Sequence, residues 1–147
     1  MGNGKKLDEA NEAIKAQLIR DEGFKLKPYR CTSGKLTIGV GRNLDDKGIS
    51  REEALYLLQN DVDEVREDLV SQFPWMRDLD EARFGAFVNL AFNMGIAGLK
   101  TFVNTLQHAR HGHWDKVAVN LLKSKYASQV GDRAKRVAEQ LRTGEWQ

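Results

Sequence analysis

An α+β fold, mainly α, is predicted by three observations on the sequence. Apolar residues recur at helical spacing before residue 23 and again after residue 50. The segment between, Leu26 to Arg42, changes to Pro, Gly, Thr and alternating apolar residues, and everything after residue 80 reads as helix. At 147 residues and 41% hydrophobic, the chain suits one domain with a real core.

In the first helix Ala10, Ile14 and Leu18 are spaced by four among charged neighbours, and Gly23 is a good residue to end it. Glu22 continues the same spacing. A carboxyl on the apolar stripe of a helix's last turn should be partly desolvated and keep its proton nearer neutrality, which suits a general acid; an ordinary helix-end glutamate is the alternative. From Leu26 to Arg42, "TSGK" reads as a turn and "KLTIGVG" as a strand of a small antiparallel sheet. Gly39 and Gly41 alternate with Ile38 and Val40, so one strand face lacks side chains and a ligand, or tight packing, could reach the backbone. No Gly-Lys-Ser/Thr follows, which excludes a phosphate loop.

Ser50 and Glu53 form a capping box for a long helix whose stripe is Leu55, Leu58, Val62, Val65 and Leu69. Its other face is acidic, so it reads as a strut between two lobes. The run "LDEARFGAFVNLAFNMG" is apolar nearly all round, which predicts a buried central helix with Asn89 and Asn93 either partnered inside or facing a cleft. Further helices are predicted around Phe102–Arg110, from Trp114 to about Ser124, and from Asp132, as N-cap, to Leu141.

Several function classes are disfavoured at this point. One cysteine cannot make an internal disulfide, and the charged N-terminal run has no apolar leader or anchor, so the chain is expected to be made and folded in a cytoplasm. Residues 1–98 hold 14 Lys and Arg against 17 Asp and Glu, and residues 99–147 hold 9 against 4, so the second part is basic. A basic surface suits an acidic polymer, a membrane or nucleic acid, and equally a solvated helix face. "DRAKRVAEQLR" lacks the interleaved aromatics of a nucleic-acid helix. His108, His111 and His113 are separated by the helix-breaking Gly112 and have no cysteine nearby, so no metal and no cofactor are expected. Cys31, in a polar turn, does not suit the usual buried, inert thiol.

The spacing Glu22, Cys31, Thr37 resembles the Glu, Asp-or-Cys, Thr triad of bacteriophage endolysins of the T-even phage lysozyme family. "DEG", "LTIGVGR", "FNMG", "NLLKSKY", "RAKRV" and the closing "RTGEW" stand in the family's order from about Leu18 onward. The resemblance implies a lysozyme-like fold. It has a small β-sheet lobe with the connecting helix at about 20–70, and a helical lobe at about 71–147 packed with the N-terminal helix. It further implies hydrolysis of the β-1,4 bond between N-acetylmuramic acid and N-acetylglucosamine in peptidoglycan by a monomer. Such a protein accumulates in the host cytoplasm and reaches the periplasmic wall when a separate holin opens the membrane. Glu22, Cys31 and Thr37 are then the catalytic candidates, and Arg42, Asn43, Phe92, Asn93, Tyr126 and Gln129 the candidate substrate contacts. A lytic transglycosylase giving anhydro products and a non-catalytic wall-binding module are the alternatives.

Cleaving a glycosidic bond needs an acid on the leaving oxygen and a second group on the other face of the sugar. The family's better-known members use aspartate in the second place and invert the anomeric centre; here it is Cys31. An ordinary thiol, titrating near about 8.5, is mostly protonated at neutral pH. Either Arg30, Lys35 or Arg42 supplies positive charge to favour the thiolate, or a neutral thiol and Thr37 merely hold the water. Arg42 stands where many relatives have His and is expected to tune Glu22 and Cys31.

Overall fold

The computed structural model describes residues 2–147 and divides them into two units, one ending at Leu55 and the other beginning at Tyr56. The division falls inside a long helix, Arg51–Gln72.

In the first unit, α1 runs over Gly2–Glu22 and none of its residues is buried. Gly23 ends it as the sequence predicts, at φ 84° and with its N–H donating to the Ile19 carbonyl at 2.9 Å. Three antiparallel strands follow in the order β1 (Lys25–Arg30), β2 (Leu36–Gly39) and β3 (Arg42–Asn43). Tyr29 pairs with Thr37 and Thr37 with Asn43, while the register is irregular between Lys25 and Tyr29. Pro28, which has no N–H to offer, lies in that irregular part of an edge strand. The turn predicted at "TSGK" is closed by Gly34 N–H on the Cys31 carbonyl at 2.8 Å and by Cys31 N–H on the Lys35 carbonyl at 2.9 Å.

The long helix α2 spans Arg51–Gln72, and its capping box is formed in both directions: Glu53 N–H donates to Ser50 Oγ at 3.1 Å, and Ser50 N–H donates to Glu53 Oε1 at 2.9 Å. Of its predicted apolar stripe, Leu55 and Leu58 are exposed and Leu69 is fully buried.

The second unit is helical. After α2 comes a 3₁₀ helix, Pro74–Asp78, then α3 (Glu81–Lys100), α4 (Val103–Arg110), α5 (Trp114–Leu122), α6 (Lys125–Val130) and α7 (Asp132–Thr143). Leu69, Met76, Phe87, Leu90, Leu99, Val117, Leu121 and Leu141 form the centre of its core. Trp75, which the 3₁₀ helix carries inward, meets Phe87 edge-on with ring centroids 6.2 Å apart.

The central helix departs from its expected all-round burial. Asn89, Phe92 and Asn93 are exposed, and Gly95 interrupts the helix with φ 78° and ψ 161°, a conformation that glycine alone adopts easily. Asn89 accepts two hydrogen bonds from Arg133, at 2.9 and 3.1 Å. Asp132 is the first residue of α7, whose N-cap is Gly131 with no side-chain cap bond, so the predicted N-cap is displaced by one position. α6 was not foreseen; Ser124 caps it through the Ala127 N–H.

The end of α7 is closed from α3. Arg83 Nε donates to the Leu141 carbonyl at 2.7 Å and its Nη2 to the Arg142 carbonyl at 2.9 Å, with the guanidinium 4.5 Å over the Trp114 ring. A planar fork satisfies two terminal carbonyls that the helix cannot. Charge-assisted bonds of this kind contribute about 1.5–3 kcal/mol each, so Arg83→Ala should lower unfolding stability by about 2–4 kcal/mol in urea titrations, and Lys should restore at most about half of it. An unchanged midpoint would remove the clamp from the account.

Candidate active site

The first unit holds three of the predicted residues. Glu22 is the last residue of α1, and its carboxyl lies against the turn between β2 and β3: a Cβ built on Gly41 would meet Glu22 Oε2 at 3.3 Å. Gly41 also has φ 71°. The bare strand face read from the sequence is therefore occupied at Gly41 by Glu22, while a Cβ on Gly39 would meet nothing within 4 Å. Glu22 is exposed, so the desolvation expected of it is not present.

Cys31 is the first residue beyond β1 and is half-buried, with its Sγ 3.1 Å from Ser33 Oγ. Thr37, on β2, is only 4% exposed, and its hydroxyl donates to the Lys35 carbonyl at 2.9 Å. Its proton is committed there, which leaves Thr37 Oγ1 as an acceptor. The Cys31 thiol is held below its ordinary range, at about 7, first by the Ser33 hydroxyl, then by backbone hydrogen bonds around Lys35 and Ser33, and least by Thr37.

The cause of that shift is not the one the sequence suggests. Arg30 lies 3.6 Å from Asp45 and donates to the Gly34 carbonyl at 3.1 Å; Lys35 pairs with Asp46 at 3.1 Å; Arg42 pairs with Glu53 at 2.8 Å and donates to the Gly48 carbonyl at 3.2 Å. Each cation has a carboxylate of its own, and hydroxyl and backbone dipoles lower the thiol instead. Arg42 in turn holds the Glu53 carboxyl well down, at about 2, with help from Ser50. Asn43 is occupied in the turn after β3, accepting from Asp46 N–H at 3.0 Å and donating to Asp46 Oδ2 at 3.0 Å.

The other predicted contacts lie in the second unit. Asn93, Tyr126 and Gln129 line one cavity of about 410 Å³, together with Thr101, Phe102 and Lys125, which sequence reasoning did not single out. Lys125 stands inside the quoted "NLLKSKY" and was legible there as a charge beside Tyr126. Phe92 is 46% exposed, although it lies on the helix that the sequence reads as buried nearly all round. The Tyr126 hydroxyl is buried with no hydrogen-bond partner among the described residues, and burial raises its titration point. His108 and His113 have ring centroids 5.9 Å apart, brought together by the turn at Gly112. No group of three or more His, Cys, Asp or Glu with metal-binding geometry occurs among the described residues.

An acid laid on a glycine turn, in a small sheet that also carries a thiol and a buried threonine, within a mainly helical α+β chain, defines a protein of lysozyme-like fold. The sequence model of the phage lysozyme family matches residues 20–142, and the chain belongs to that family. It is similar to the pre-baseplate central spike protein of Enterobacteria phage T4, 28% identical over 93% of this chain and 29% of that protein. It is also similar to probable T4-type lysozyme 1 of Dictyostelium discoideum, 28% identical over 90% of this chain and 95% of that one. An endolysin of Bacillus phage B103 is 32% identical over 69% of this chain and 40% of its own length. The chain thus spans less than a third of the spike protein.

The approach of Glu22 to Gly41 can be tested with a matched pair. Ala at position 39 or 41 would suffer the same left-handed strain, roughly 1–2 kcal/mol, and only Gly41→Ala would also crowd the acid. Gly41→Ala should therefore lose at least about tenfold more turnover on peptidoglycan than Gly39→Ala. Equal losses would mean that Gly41 matters only for its backbone.

Proposed function

We propose that the chain is a peptidoglycan-lytic glycosidase, a muramidase hydrolysing the β-1,4 bond between N-acetylmuramic acid and N-acetylglucosamine. The observation that carries this reading is the Glu22 carboxyl set against Gly41 in the same small unit as Cys31 and Thr37. Membership of the phage lysozyme family, with endolysins among similar proteins, supports it.

In this mechanism Glu22 gives its proton to the glycosidic oxygen as the bond from that oxygen to the anomeric carbon breaks. A water molecule, with one O–H directed at the acceptor lone pair of Thr37, forms the new bond to the anomeric carbon. The proton it sheds goes to the Cys31 thiolate. Glu22 is left as a carboxylate and Cys31 as a thiol, and proton exchange with solvent restores both. A thiol titrating at about 7 is half ionised at neutrality, enough to serve as the acceptor where an ordinary thiol is not. Family likeness offers Arg42, Asn43, Phe92, Asn93, Tyr126 and Gln129 as substrate contacts; of these Asn93, Tyr126 and Gln129 share one cavity, while Arg42 and Asn43 would have to exchange their present partners for substrate.

The setting belongs to the same proposal: lysis of the bacterial host late in phage infection, by a monomer that accumulates in the host cytoplasm and reaches the periplasmic wall through a holin-opened membrane. Likeness to a central spike protein supports a second setting, a lytic unit carried by a phage structural protein. Detection of the chain in purified particles would favour the second.

The first experiment is reducing-end release from purified peptidoglycan. Glu22→Gln should lose about 100- to 10,000-fold, the usual range for a general acid. Product masses decide the reaction type: anhydro sugars, lighter by one water, would replace hydrolysis with transglycosylation, and wall binding without new ends would mean no catalysis.

The pH profile tests the second group. The active form needs Glu22 protonated and Cys31 ionised at once, so one limb of the activity profile should fall where the thiol titrates, at about 7. Cys31→Asp should stay active with that limb about three pH units lower, in the carboxylate range. A limb unmoved by Cys31→Asp would exclude the sulfur as acceptor.

A further inference from the structure

Ser33 has no part in the mechanism so far, yet its hydroxyl lies 3.1 Å from the Cys31 sulfur, and either atom could be the donor. The turn that joins them is fixed at both ends, by Gly34 N–H on the Cys31 carbonyl and Cys31 N–H on the Lys35 carbonyl, with Gly34 at φ 82°. Two residues apart in so tight a turn, the two side chains are held together by the backbone. The cations that the sequence offers to the sulfur, and the hydroxyl of Thr37, are already engaged. Arg30 is engaged with Asp45, Lys35 with Asp46 and Arg42 with Glu53, and Thr37 gives its proton to the Lys35 carbonyl. Glu22, the remaining charged group of the candidate site, is an acid and can only disfavour a thiolate.

We propose that Ser33 is a positioning residue for the reaction: its hydroxyl donates to the Cys31 sulfur, favours the thiolate, and aims it at the water held by Thr37. This rests on the reading that Cys31 accepts the water's proton. A hydroxyl rotates freely and can donate to a thiolate or accept from a thiol, so one residue serves both states of the cycle. The chain then obtains an ionised sulfur from a neutral neighbour, without a cation that would also bind the Glu22 carboxylate and hold it in its unprotonated form. The thiol's titration at about 7, with Ser33 as the first cause, accords with this.

The test uses the full chain, whose single cysteine makes thiol chemistry unambiguous. The rate of alkylation by iodoacetamide is followed across pH 5 to 10 under native conditions, with circular dichroism as the check on folding. Ser33→Ala should move the midpoint upward by about one pH unit, toward the ordinary thiol, and Ser33→Thr, which keeps the hydroxyl, should bring it back. The limb of reducing-end release set by the thiol should follow the same two movements.

An alkylation midpoint unmoved in Ser33→Ala would overturn the proposal, whatever the activity does. A midpoint that moves while the rate profile stays would show that Ser33 controls the thiol but that Cys31 does not accept the proton. The underlying reading would then fail, and with it the role of Ser33 in the reaction. Failure of Ser33→Thr to restore the midpoint would also sink the proposal, since packing and not the hydroxyl would then be responsible.

Discussion

A methyl group on Gly41 would stand 3.3 Å from Oε2 of Glu22, and the placement of the acid depends on that methyl being absent. The positive φ of Gly41 turns the chain from β2 into β3, and the same residue leaves bare backbone for the carboxyl to lie against. Gly23 complements it from the other side by ending α1 one residue after Glu22. Two glycines, eighteen positions apart, thus fix where a helix stops and what its last side chain meets. The nearby Gly39 has the same sign of φ with open space around it, so the close approach is particular to Gly41.

The electrostatics of the first unit follow from pairing. Three cations and three carboxylates around the sheet are matched, and these exposed or half-exposed pairs each contribute little to stability. Their effect is on the chemistry. With full charges matched, the balance at Cys31 is left to short-range dipoles, which are set by local turn geometry and are less sensitive to ionic strength than free charges are.

Much of this was legible in the sequence. The capping box, the helix end at Gly23, the turn at "TSGK" and the positions of α4, α5 and α7 follow from local rules that need no knowledge of the rest of the chain. The misses have physical causes. The 3₁₀ helix at Pro74–Asp78 and the six-residue α6 are too short to show a period, and the first is carried into place by Trp75 packing on Phe87. Arg30, Lys35 and Arg42 read from the sequence as possible sources of charge for the sulfur because their partners lie eleven or more positions away and become neighbours only in the folded chain. Ser33 read as an ordinary turn residue, since nothing in its type distinguishes a hydroxyl that faces water from one that faces a thiol. The three residues around the cavity in the second unit came from family likeness, and no periodicity would have grouped them.

One oxygen, Glu53 Oε1, accepts both the Ser50 N–H that caps α2 and the Arg42 guanidinium next to Gly41. The first turn of the long helix and the hairpin under Glu22 are therefore linked through this oxygen: fraying of the helix start withdraws the acceptor from Arg42, and opening of the hairpin removes the cation paired with the capping carboxylate. The link reaches over some thirty residues of sequence, roughly from Glu22 to Glu53, and a half-exposed pair of this kind couples its two ends weakly. The acid's footing and the helix's start share one acceptor, so a perturbation that leaves every candidate side chain in place can still reach the site through the end of a helix.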